Sequence, residues 1–116
     1  MPERISIPYH LTAEAGAEGN VTIYTVPAAR TLRSIEVSIA FPVGQYGELE
    51  ISFYRGIMRV LPTQGAYTGD NMLFPTRAFA EWGTGESVKV HYKNTNSTEV
   101  REAYILVEGE LIQPGE

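Results

Sequence analysis

The chain has 116 residues, 43% of them hydrophobic and 20% charged, which is the composition of a folded globular protein and not of a disordered segment. Without a single cysteine it can have no thiol nucleophile, no Cys-ligated zinc and no disulfide framework, and its net charge of -5 speaks against a nucleic-acid-binding face, which is usually basic. The first twenty residues lack the basic and apolar regions of a secretory signal, and no apolar run is long enough to cross a bilayer, so no membrane partner is expected.

In chain order, an N-terminal run carrying Ile5, Ile7, Tyr9 and Leu11 at every second position predicts a first strand. Residues 20–26 predict a second, with Val21 and Ile23 on one face and Tyr24 and Val26 on the other. The clearest alternation is at 32–42, where Ile35, Val37, Ile39 and Phe41 form the apolar side and Pro42 ends the strand. Leu49, Ile51 and Phe53 repeat the pattern against Glu50 and Ser52, and 57–61 is a short strand after the Arg55-Gly56 turn. Residues 71–82 are interrupted by Pro75, which suits an edge strand or a bulge, and 76–82 also has some helical character. After a hairpin turn at 83–85 come Val88, Val90 and Tyr92 against Lys89, His91 and Lys93. The last strand sets Ala103, Ile105, Val107 and Leu111 against Tyr104, Leu106 and Ile112.

About eight strands with Gly, Pro and Asn between them predict an all-β antiparallel sandwich or barrel, and residues 1–116 read as one domain, since no linker or repeat divides them. If successive strands run up and down, the longer connections 12–19, 42–47, 62–70 and 94–99 gather at one end, and the tight turns 27–31, 55–56 and 83–85 at the other. Loops on a rigid sandwich are the usual place for binding. The expected binding surface is therefore the long-loop end, with Gln45, Tyr46, Gln64, Tyr67, Asn94 and Asn96.

Catalytic and metal-binding chemistry is poorly supplied. The two histidines, His10 and His91, are far apart in sequence, Asp70 is the sole aspartate, and Glu36, Glu50, Glu108 and Glu110 fall at outward strand positions where charge keeps a sheet soluble. No catalytic residue, metal ligand or cofactor is assigned. Asn20-Val21-Thr22 and Asn96-Ser97-Thr98 match the glycosylation triplet, but no signal peptide accompanies them. What stands out is apolar residues on both faces of two strands. Tyr24, Val26, Tyr104 and Leu106 would point away from the core of a single sandwich, either as ordinary exposed apolar area or as an interface between copies.

The segments YTVPAARTLRSIEVSI (24–39), GTGESVKVHYKNTN (83–96) and AYILVEGELIQ (103–113) resemble small jelly-roll modules of virus and bacteriophage particles, in which a strand leads through Val-Pro and small residues into the next, and a final strand closes on Gly. The resemblance implies a jelly-roll sandwich and a role in the virion: a capsid-decorating or minor capsid or spike subunit that forms homo-oligomers, a trimer being the first expectation, and binds neighbouring virion proteins. The competing reading is a carbohydrate- or receptor-binding module using tyrosines. Trp82 falls at the short-loop end, away from Tyr46 and Tyr67, so such a site would use the tyrosines alone.

Overall fold

The computed structural model describes residues 3–62, 65–77 and 79–113, and of 74–77 the backbone alone. Among the described residues nine strands follow one another: β1 (Glu3–Ala13), β2 (Glu18–Thr25), β3 (Thr31–Phe41), β4 (Leu49–Arg55), β5 (Met58–Leu61), β6 (Met72–Arg77), β7 (Glu81–Trp82), β8 (Ser87–Asn94) and β9 (Arg101–Ile112). They form two antiparallel sheets. The first has the order β1-β9-β3-β6, with β7 also on β3, and the second the order β2-β8-β4-β5.

The pairs are nested. β4 pairs with β5, β3 with β6 and β7, β2 with β8, and β1 with β9, so the chain is one long hairpin folded at Gly56-Ile57 and rolled until its arms lie in alternate sheets. This is jelly-roll order. The count of about eight strands expected from the sequence holds once β6 and β7 are taken as one interrupted partner of β3, and the described residues contain no helix. Pro75 stands opposite Ser38 in β6, which pairs with β3 alone and so leaves its other side without a ladder to break.

Alternation explains the core. Val37, Ile39, Phe41, Ala103, Ile105 and Val107 of the first sheet meet Leu49, Ile51, Phe53, Val88 and Val90 of the second, all of them buried. Ile35 departs from the expectation. A bulge between Ser34 and Glu36 leaves it out of register, so Ser34 takes the inward position before it and Ile35 is only partly covered. A bulge between Thr22 and Tyr24 corrects β2 in the same way. Val21 pairs with Val90 and Tyr24 with Val88, both core valines, so Tyr24 packs against the core and Val26 is buried within it. Neither of these two residues faces outward as the unbroken alternation of 20–26 predicts.

The loops divide as expected. The 14–17, 42–48, 65–71 and 95–100 segments are joined by backbone hydrogen bonds, Gly16 N to Asn96 O at 2.8 Å, Thr95 N to Glu48 O at 2.9 Å and Gly47 N to Gly69 O at 3.2 Å. At the opposite end, Gly83-Thr84-Gly85 is a tight turn but not a hairpin, because β7 belongs to the first sheet and β8 to the second. Trp82 plugs that end, fully buried, its indole N–H donating to Tyr54 O at 3.1 Å.

Candidate functional site

At the long-loop end the polar side chains turn toward one another. Asn94 is buried, and its Nδ2 donates to the carbonyls of Ala13, Glu14 and Glu99 at 3.2, 3.0 and 2.9 Å. Its Oδ1 accepts from Asn96 N. Asn96 in turn donates through Nδ2 to Glu48 and accepts, at Oδ1, the N–H groups of Thr98 and Glu99. Gln45, also buried, accepts the Glu102 N–H at 2.7 Å and so ties the 42–48 loop to β9. The lone aspartate, Asp70, accepts from Gly44 N and Gln45 N at 2.8 and 2.9 Å, joining two loops.

Tyrosines behave no differently. Tyr67 exchanges both backbone hydrogen bonds with Ile51 and sets its ring edge-on to Phe53, and burial pushes its phenol above the ordinary value. Tyr46 is exposed, in left-handed backbone at φ 55°, with the Arg101 guanidinium 5.7 Å from its ring centroid. Gln64 lies outside the described residues. Of the expected binding surface, therefore, Gln45, Asn94 and Asn96 brace the loops, Tyr67 packs inward, and Tyr46 remains presented to solvent. Trp82, being buried, offers no platform for a sugar.

A pair that the loop pattern does not suggest sits beneath them. Arg101 opens β9 at an inward position, and its Nη2 donates to Glu48 Oε1 at 2.9 Å, with Nε on the same oxygen at 3.2 Å. The hydrogen bonds from Arg101 and then Asn96 hold the Glu48 carboxyl below its ordinary value. A signal was available: the inward series 103, 105, 107 and 111 extends back to 101, and an arginine in that phase requires a buried partner.

The outer face of the first sheet has a different character. Pro8 and Leu106 lie opposite each other, as do His10 and Tyr104, and across β9 stand Ser38 and Ala40 of β3, with Leu73 of β6 beyond. These side chains line a shallow depression of about 530 Å³. Small residues on β3 form its floor and taller ones its sides, with Tyr104 50% and Leu73 61% exposed. The His10 ring stacks on Tyr104 at 4.4 Å between centroids, nearly parallel, and its Nε2 lies 3.4 Å from Glu102. The outward placement expected of Tyr104 and Leu106 is thus observed, in a patch wider than sequence alternation alone defines. His91 lies on the other sheet, 3.2 Å from Glu18. Among the described residues, no three His, Asp or Glu side chains converge in an arrangement that could hold a metal ion.

No protein-family model matches the chain, and a search of curated proteins likewise finds no match. Among solved structures, a chain of the acidic stable capsid structure of Helicobacter pylori bacteriophage KHP30 superposes with a TM-score of 0.52 at 16% identity, over 100% of both chains. A chain of the Bacillus endospore appendages, a family of disulfide-linked pili, gives 0.45 at 17% identity over 94% of this chain and 89% of that one. A chain of infectious bursal disease virus strain Gx gives 0.35 at 14% identity, over 98% of this chain and 42% of the other. At such identities the likeness concerns architecture: the chain has a jelly-roll β-sandwich fold resembling one found in a bacteriophage capsid.

Proposed function

We propose that this protein is a non-enzymatic structural subunit of a virus particle, a capsid-decorating or minor capsid or spike component, that associates with copies of itself and with neighbouring capsid proteins. The observation that carries this reading is the apolar depression on the outer face of the first sheet. A sandwich needs one apolar face per sheet to fold, and a second, on an acidic domain, marks a surface that is covered in the working state. The whole-length likeness to a phage capsid chain supports the same reading. Tyr104 and Leu106 are the anchors, and a trimer is the first assembly to test, with the virion as the location.

Leu106→Lys tests it. Leu106 faces outward and is half-buried, so the substitution leaves the core untouched but sets a charge in the contact, at a cost on the order of a few kcal/mol to association. Sedimentation should find the unaltered protein larger than a monomer at micromolar concentration and the variant monomeric, with the same thermal transition. A monomeric parent protein, or a variant that still assembles, overturns the proposal.

A further inference from the structure

The outer face of the second sheet carries a cleft of opposite chemistry. Glu50, Ser52 and Tyr54 alternate outward along β4, and His91 of β8 lies opposite Ser52. Where β5 leaves β4, the 65–68 segment takes its place, with Tyr67 paired to Ile51 in both directions and the Arg59 guanidinium donating to Gly65 O at 2.8 Å. This segment raises a second wall, formed by Gly65, Ala66 and Thr68, beside the sheet. The result is a cleft of about 400 Å³ with nearly buried Ser52 at its floor. The Tyr54 and His91 rings stand 5.8 Å apart, tilted by 52°.

The lining sorts the possible ligands. An apolar group would offer nothing to the Glu50 carboxylate, to the hydroxyls or to the N–H groups of Arg59 beyond the one held by Gly65 O. A simple anion would meet Glu50 as well as Arg59 and gain little. A ring bearing several hydroxyls suits both signs: some hydroxyls can donate to Glu50 and others accept from Arg59, the Ser52 and Thr68 hydroxyls serve in either sense, and the C–H face of the ring can lie on Tyr54 beside His91, whose Nε2 faces Glu18. The volume is within the range of small-ligand sites. We infer that this cleft, formed by Glu50, Ser52, Tyr54, Arg59, Thr68 and His91, is a saccharide-binding site for a single pyranose unit. It lies on the opposite outer surface from the association face and does not depend on assembly.

Saturation-transfer difference NMR on the full chain, with free glucose, galactose, mannose and N-acetylglucosamine as separate probes, tests the site. Transfer to at least one sugar is expected, and Glu50→Ala and Tyr54→Ala should each weaken it about tenfold, as loss of one charged hydrogen bond or one stacking ring implies. Tyr46→Ala, at the long-loop end, should leave it unchanged. Glu50 points outward from its strand, so Glu50→Ala keeps the test valid if Tyr54→Ala lowers the yield of folded protein. Absence of transfer to all four sugars, transfer undiminished by Glu50→Ala, or transfer abolished by Tyr46→Ala would each overturn the assignment.

Discussion

A buried primary amide must find partners for two N–H groups and a carbonyl oxygen, and Asn94 finds them across the mouth of the sandwich. Its two N–H groups are shared among three main-chain carbonyls, those of Ala13 at the end of β1, Glu14 just after it and Glu99 before β9, while Asn94 itself ends β8 in the other sheet. Without this side chain those carbonyls lose partners in a place water reaches poorly, at about 1–3 kcal/mol for each group left unsatisfied. Asn94→Ala should therefore destabilise the protein by on the order of 3 kcal/mol. Asn94→Asp should be worse at neutral pH, because an ionised carboxylate is acceptor-only and would face three acceptors. Urea midpoints of the two variants check the ranking, and an Asp variant as stable as the parent would contradict this account.

Among the elements, β9 is constrained from both sides, since it pairs with β1 along one and with β3, itself a central strand, along the other. Gly109 lies within it, opposite Ser34 at the start of the β3 bulge, and is not the end of the strand, which continues to Ile112. A Cβ there would stand 2.5 Å from Arg33 O, a main-chain atom in a central strand that cannot step aside as a side chain would. Gly109→Ala should cost about 1–3 kcal/mol, the usual range for overpacking, and should lower the thermal midpoint without changing the β-type circular dichroism. This glycine also illustrates what the sequence conveys. Alternation located the strands and nearly all of the core, because period-2 burial is written directly into residue types at Val37, Ile39, Phe41, Val88 and Val90. The bulges at Ile23 and Ile35 were illegible, since one extra residue changes the phase without changing the composition; the first brings Tyr24 and Val26 inward and the second leaves Ile35 out of register. The loop residues were misread for another reason. Asn94, Asn96 and Gln45 have the polarity of a binding loop, and only the tertiary structure reveals that their partners are other loops.

For the molecule as a whole, rolling a single hairpin leaves two open ends, and the two are closed by different chemistry. Trp82 fills one with apolar surface and an indole hydrogen bond that does not titrate. The other is closed by charge: Glu48, entering β4 of the second sheet, is held by Arg101, which begins β9 of the first. Because Arg101, and after it Asn96, stabilises the ionised carboxylate, Glu48 in the folded protein has a value depressed below the ordinary 4.5. Between the depressed value and the ordinary one the unfolded chain binds more protons than the folded chain, so stability rises with pH across that interval. The contribution is complete above the ordinary carboxylate value and is lost as pH falls through the folded one. Other carboxylates also protonate in acid, so the parent protein alone does not isolate the effect. Comparison with Glu48→Gln does, since the amide retains an acceptor but carries no charge. Denaturant midpoints measured from neutral pH into acid should find the variant less stable at neutral pH, its acid slope shallower, and the two curves converging once Glu48 is protonated in both states. Curves that stay parallel through that interval would mean that the ion pair contributes nothing to holding the two sheets together at this end.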